Sequence, residues 1–303
     1  MQEYINKKFS TLCDEWLAFK KNLVKESSFL NYKFTINKHL KKDFANMYIE
    51  EIKTFDFNKY IDNLKTRFSS KTIRDTFTIL KSILRFAERK YDIDFKLDLV
   101  SIPTNYKKEI EVFTDKERVK LQEYLWESKK IKEIGVYICL LTGMRIGEIC
   151  ALKWSDIDFE KKLINVNQTV QRVYFGNEKS KVIITSPKSK TSVRKIPISK
   201  TLYVKLKQLK NSYSKDAFII TGKEKKFTEP MAYRYTYRKV LKKTKVQYRK
   251  FHCLRHTFAT RCIHVGMDVK SLSEILGHAN VNITLSTYVH SSYEVKKKYI
   301  DKI

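Results

Sequence analysis

No run in the 303-residue sequence approaches twenty consecutive apolar residues, which excludes a helical membrane span of ordinary length. The opening MQEYINKKFS lacks the apolar stretch of a secretory leader, so the protein is expected in the cytoplasm. Five cysteines, Cys13, Cys139, Cys150, Cys253 and Cys262, are scattered without CxxC spacing. In a reducing compartment that means free thiols, not staples or a cysteine zinc cage. No internal repeat or low-complexity tract is present. Acidic residues are the scarce charge: 33 Asp and Glu stand against 62 Lys and Arg, a net +29. So large an excess is more than a solvated surface needs, and a polyanion is the natural partner. An anionic membrane surface is the rival, although no amphipathic basic helix stands out.

The length suffices for two domains, each with its own core. Residues 9 to 91 read as helices with serine starts. In SSKTIRDTFTILKSILRFAERK, Ser69 and Ser70 are candidate N-caps, and Ile73, Phe77, Leu80, Leu84 and Ala87 form a stripe at three- and four-residue spacing. Leu12, Trp16 and Phe19, then Leu30, Phe34 and Leu40, make similar stripes. The pattern stops near Pro103, and Thr114-Asp115 with Glu117 reads as a new helix start. The expected division is a helical domain at 1–96, a linker at 97–111 and a second domain at 112–303. Within the second, KLINVNQTVQRVYF, SKVIITSPK and SVRKIPI predict a short antiparallel sheet, and helices resume from about residue 201. The fold class is mainly α with a small antiparallel β-sheet. Net charge is about +6 over the first hundred residues and about +23 over the rest, so the second domain carries most of the field. Residues 205 to 250 hold 15 basic and 3 acidic residues interleaved with tyrosines, which reads as phosphate contact, or more blandly as a solvated face.

Three short stretches carry chemistry. In TGMRIGE, Gly143 breaks one helix and Arg145 opens the next, with Glu148 one turn on; this suits an oxyanion, or a plain surface Arg–Glu pair. In HCLRHTFAT, His252 and His256 have the i,i+4 spacing of a zinc pair, but Cys253 stands where metallohydrolases of that type carry glutamate. His252-x-x-Arg255 instead brings an imidazole and a guanidinium within reach of one phosphate. His256 reads as a buried hydrogen-bonding residue that fixes the site. In EILGHANVNITLSTYVHSS, Gly277 ends a helix, His278 follows it, and Tyr288 comes ten residues later. His39 and His264 have no evident partner, His290 reads as a positioning residue, and Tyr293 and Tyr299 as decoys.

LLTGMRIGEICALKW, the PKSKTSVRKIPI hairpin, HCLRHTFAT and LGHANVNITLSTYVH, in that order, resemble the tyrosine recombinases. They are most similar to integrases of phages and of integrative elements in Gram-positive bacteria. The resemblance covers about 112 to 300 through these motifs and, more weakly, 9 to 95. It implies an N-terminal helical core-binding domain and an α+β catalytic domain. It also implies an active site of Arg145, Lys188, His252, Arg255, His278 and Tyr288. Tyr288 would form a 3′-phosphotyrosyl link with DNA, and two arginines would neutralise the phosphate as charge gathers. His252 is the expected base, His278 a phosphate hydrogen-bond partner, and Lys188, over Lys190, the acid for the departing 5′ oxygen. No cofactor, metal or ATP is implied. The implied partners are double-stranded DNA with paired inverted core sites, sister subunits forming a tetramer on it, and an excisionase or DNA-bending accessory protein. Only residues 1–8 precede the first helix, which argues against arm-type DNA binding, and SSYEVKKKYIDKI is long enough for a helix that couples subunits. The alternatives are a housekeeping Xer-like recombinase and a non-catalytic DNA-binding protein on the same scaffold. A type IB topoisomerase shares related chemistry, but the short chain and the hairpin favour recombination. The gap from His278 to Tyr288 favours a mobile-element integrase over the Xer-like reading.

Overall fold

The computed structural model describes residues 6–104, 110–175, 179–186, 190–288, 297 and 300–301. Lys188, His290, Tyr293 and Tyr299 lie outside the described residues, as does most of the C-terminal stretch expected to be helical. The chain divides into two compact units, residues 1–108 with 173–181, and 109–172 with 182–303. No helix among the described residues is long and apolar enough to cross a membrane.

The first unit is helical: α1 (Phe9–Lys20), α2 (Glu26–Thr35), α3 (Lys41–Phe44), α4 (Ile49–Lys53), α5 (Phe57–Lys65) and α6 (Ser70–Tyr91). Of the expected serine starts, the one at α6 is present: the Ser69 hydroxyl accepts from the Thr72 N–H. α1 follows extended Lys8 instead, where the Phe9 N–H donates to the Met47 carbonyl at 2.9 Å, and α2 follows Lys25. The α6 stripe is entirely buried, Ile73, Phe77, Leu80, Leu84 and Ala87 alike. α1 buries Phe9, Leu12, Cys13, Trp16 and Leu17, whereas Phe19 falls off that face and is 51% exposed. Between α2 and α3 a π-turn, Ile36–Leu40, inserts an extra residue per turn. Ile36 and Leu40 are buried there, whereas Leu30 and Phe34, before it, are half-buried. The same core takes in Phe95 and Leu97, with Val100 and Ile102 packed on it, so it reaches into the stretch read from the sequence as linker.

The second unit opens with α7 (Asp115–Glu127), capped as its sequence predicts. Thr114 Oγ1 accepts from the Glu117 N–H, and the Glu117 carboxylate accepts from the Thr114 N–H. α8 (Ile134–Thr142) is apolar on every side and almost wholly buried, the mark of a central helix. α9 (Ile146–Ala151) follows, then β1 (Ile157–Asp158), β2 (Leu163–Val166), β3 (Thr169–Phe175) and β4 (Lys179–Thr185), the last two shared with the first unit through residues 173–181, and β5 (Arg194–Pro197). The strands form two sheets, not one: an antiparallel β1-β2-β5 with buried Ile164 opposite Ile196, and a separate β3–β4 pair. α10 (Lys200–Lys210), α11 (Pro230–Lys243), α12 (His252–His264), α13 (Val269–Leu276) and α14 (Val281–Tyr288) complete the unit. Helix is interrupted between α10 and α11, where Ala217, Phe218, Ile219 and Ile220 enter the core as turns; the Ile219 N–H donates to the Leu152 carbonyl. α12 packs along α8, and α13 and α14 close over its far end.

Candidate active site

Two helix ends meet at the site. α8 stops at Gly143, whose φ of +66° belongs to the left-handed region; an added Cβ would stand 2.6 Å from Phe258 and 2.8 Å from Leu276. α13 stops at Gly277 in the same conformation, φ +65°. The last carbonyls of a helix lack internal partners and carry the negative end of its dipole. Here three successive carbonyls each accept from a different arginine: Ile275 from Arg194 Nε at 2.5 Å, Leu276 from Arg255 Nη2 at 2.9 Å, and Gly277 from Arg145 Nη2 at 2.9 Å. Arg145, Arg194 and Arg255, remote along the chain, thus gather on one terminus.

Glu148 holds them together. Its carboxylate accepts from the Arg145 backbone N–H at 2.8 Å and from Arg145 Nη1 at 2.9 Å, and takes both terminal nitrogens of Arg194 at 2.9 Å. Burial pushes this carboxyl up, but the hydrogen bonds and charge of Arg194, with the charge of Arg145, outweigh it and hold the pKa below the usual carboxylate value. The pair at 145 and 148 is therefore one edge of a buried network, not a surface i,i+3 pair. Arg194 Nη1 also donates to the Ser192 carbonyl. Arg255 is 1% exposed and donates through Nη1 to the Gly143 carbonyl at 2.9 Å. Burial, then repulsion from Arg145, brings its pKa down to about 10, so it stays charged at neutral pH.

Arg255 Nη2 also reaches His278 Nε2 at 2.8 Å, and His278 Nδ1 lies 2.8 Å from Thr284 Oγ1. A guanidinium can only donate, so Nε2 is the acceptor and the ring proton sits on Nδ1, bonded to Thr284. Desolvation and the positive charges of Arg255, Arg145 and Arg194 lower the His278 pKa to about 4, which keeps the ring neutral. Tyr288, at the end of α14, stacks parallel to His278 with ring centres 6.4 Å apart. Burial raises its phenol pKa, and the charge and hydrogen bonding of Arg255 and the charge of Arg145 offset this only in part.

The resemblance implies proton removal by His252; in the fold it is His256 whose Nδ1 lies 2.8 Å from Tyr288 Oη. The two histidines meet edge to face with centres 4.5 Å apart. His252 itself is exposed at the mouth of a cavity of about 560 Å³ that it shares with Arg255, Arg234, Arg238, Tyr248 and Lys250. Its pKa falls to about 4 through desolvation and repulsion from His256, Arg255 and Arg145.

Of the sequence-predicted site residues, Arg145, His252, Arg255, His278 and Tyr288 stand in one cluster, and Lys188 lies outside the described residues. Sequence reasoning missed Arg194, although it lies in SVRKIPI, which reads as a strand. It also missed Thr284, which no local signal marked. Of the tyrosines interleaved with the basic residues, Tyr233 and Tyr237 are core, while exposed Tyr235 and Tyr248 carry Lys239 and Arg238 over their rings at 4.5 and 5.3 Å. Lys205 is buried, donating to the carbonyls of Trp126 and Ser128 at the end of α7, and is no surface cation.

A phenol held among fixed guanidinium groups, beside a basic cavity, suits an enzyme that attacks a phosphate ester with a tyrosine. Residues 111–295 match the phage integrase family, and residues 8–65 match the phage integrase N-terminal SAM-like domain. The chain is 31% identical over 293 residues to a tyrosine recombinase XerC-like protein of Caldanaerobacter subterraneus subsp. tengcongensis, covering 88% of this chain and 74% of that one. It is 26% identical over 310 residues to the ICEBs1 integrase of Bacillus subtilis, covering 97% and 82%. Its fold is similar to that of the Tn1549 transposon integrase solved in complex with a circular intermediate DNA, with a TM-score of 0.78, 23% identity and coverage of 97% and 99%. It is also similar to lambda integrase, solved as a tetramer bound to a Holliday junction, with a TM-score of 0.66, 15% identity and coverage of 95% and 80%. The chain belongs to the phage integrase family and is a tyrosine-type site-specific DNA recombinase.

Proposed function

We propose that the protein integrates and excises a mobile element, with Tyr288 as the nucleophile that joins a 3′ phosphate of duplex DNA. The observation that carries this reading is the placement of Tyr288 against Arg255 and His278, with Arg145 anchored on the same helix end. Arg145 and Arg255 would bind the non-bridging oxygens of the scissile phosphate and stabilise the charge of the pentavalent transition state, each such donor contributing about 3 kcal/mol. Phosphate entry would draw Arg255 Nη2 from His278 Nε2, freeing that nitrogen to take a proton and bond the phosphate. His252, at the cavity mouth, would meet the same phosphate. Lys188 is assigned the proton for the departing 5′ oxygen.

The phosphotyrosyl bond keeps the energy of the broken phosphodiester, so rejoining to a second DNA end needs no ATP. Four subunits would synapse two sites with inverted core sequences, with an excisionase or DNA-bending protein setting direction. The basic face of α11 and the cavity it lines supply phosphate contacts beyond the cut.

The deciding experiment is incubation with libraries of nicked duplexes in the absence of added metal. A covalent protein–DNA adduct should form with the wild type and be lost in Tyr288→Phe; an adduct that persists in that variant moves the nucleophile elsewhere.

A further inference from the structure

We propose that His256 is a catalytic residue, the group that takes the phenolic proton when Tyr288 attacks. This rests on the reading of Tyr288 as nucleophile. We take the phenol as the donor to His256 Nδ1, 2.8 Å away, because the Arg255 guanidinium that lowers the phenol's pKa can only donate and so claims the oxygen's acceptor side. That leaves the His256 proton on Nε2. The hydroxyl is thus already hydrogen-bonded to a ring nitrogen with a free lone pair, the arrangement a general base needs. Both α12, which carries His256, and α14, which carries Tyr288, are held in the same unit, so the pair needs no partner subunit to form.

The groups facing the His256 ring are His252 and Arg255 from its own helix and Tyr288 from α14. Burial and the Arg255 charge both lower the His256 pKa, so without DNA it is neutral and the phenol keeps its proton. When a phosphate dianion-like transition state occupies Arg255 and Arg145, the repulsion on His256 falls and its affinity for a proton rises. The base therefore strengthens only with DNA in place. In the step itself the Tyr288 Oη–P bond forms and the P–O5′ bond breaks. The phenolic proton passes to His256 Nδ1, and the 5′ oxygen takes a proton from the hairpin lysine, the role assigned above to Lys188.

The test is single-turnover adduct formation on nicked duplexes across pH 6 to 9.5, with DNA retention and thermal midpoint measured alongside. In His256→Asn the side-chain oxygen lies near the place of Nδ1 and can accept the hydrogen bond, but it does not take up a proton. It should cleave about 10²- to 10⁴-fold more slowly at pH 7 and regain rate as pH climbs toward the phenol's own pKa, with DNA binding unchanged. His252→Asn should keep the wild-type profile shape. A His256→Asn protein with wild-type rate and profile, or one that restores full activity where His256→Ala has lost it, would reduce His256 to a positioning residue and overturn the proposal. If adducts persist in Tyr288→Phe, the underlying reading fails instead. Should His256 variants unfold, the histidine titrations by NMR decide. Tyr288→Phe, which removes the donor, should move the His256 midpoint upward and leave that of His252 in place; the reverse pattern assigns the proton to His252.

Discussion

Arg194 and Glu148, 46 residues apart, form a bidentate ion pair with both N–O distances at 2.9 Å and side chains only 6% and 3% exposed. Removing one partner of such a pair leaves an uncompensated charge in the interior, which costs about 3–5 kcal/mol. Arg194→Met should therefore unfold at markedly lower denaturant, and Glu148, left with one cation, should draw Arg145 closer and away from the phosphate position. Adduct formation would fall about tenfold to a hundredfold, less than removal of a phosphate donor itself. Adding Glu148→Gln removes the stranded charge, so the double variant should recover part of the stability without recovering activity. An Arg194→Met protein as stable as the wild type would show that the pair supports nothing.

That pair also marks the boundary of what the sequence discloses. Capping boxes and apolar stripes are local: Thr114 with Glu117, and the α6 stripe from Ile73 to Ala87, act between residues within a turn or two, so spacing alone reveals them. The site motifs were legible for another reason, because Arg145, Arg255 and Tyr288 each sit inside a short stretch with a family-like neighbourhood. Contacts between distant stretches leave no such trace. Nothing in SVRKIPI says that its arginine meets Glu148, and nothing in HCLRHTFAT says which histidine meets the phenol. Both follow from how α12 lies on α8 and how α13 and α14 close over it. The stripe read over Leu30, Phe34 and Leu40 is right only in part, because the face that packs on the core runs through Phe29, Tyr32, Ile36 and Leu40.

His278 binds its proton near pH 4 in the fold against an ordinary value of 6.5, so between those values the unfolded chain takes up a proton that the native one refuses. Stability from this group is complete above about pH 6.5 and declines as pH falls through the window to about 4, by on the order of 2–3 kcal/mol. His252 acts in the same direction but, being exposed, contributes less. Glu148 is held below the usual carboxylate value, so its contribution is lost only at more acidic pH. Urea unfolding at pH 7.5 and 5.0 should show the loss, and His278→Gln should flatten it. A wild-type protein equally stable at both values, or an unchanged slope in the variant, contradicts the burial of a neutral ring at this position.

On α11, Arg234, Arg238, Lys239 and Lys242 are exposed, and the first two share the cavity with His252 and Arg255. If these are phosphate contacts, each neutralised phosphate releases counterions, and the logarithm of affinity falls against the logarithm of salt by about 0.9 per contact. Arg234→Gln with Arg238→Gln should then lower that slope by about 1.8 on any duplex, cognate or not, because a contact to the backbone reads no sequence. Lys243→Gln should change it less, since that ammonium already serves Tyr124 at 3.0 Å and Glu133 at 3.4 Å. A solvated face predicts something different: affinity at one salt concentration shifts slightly with the lost charge, while the slope stays as it was. Measuring binding from about 50 to 200 mM salt separates the two, because long-range charge is screened over about 10 Å while a displaced counterion is counted whole.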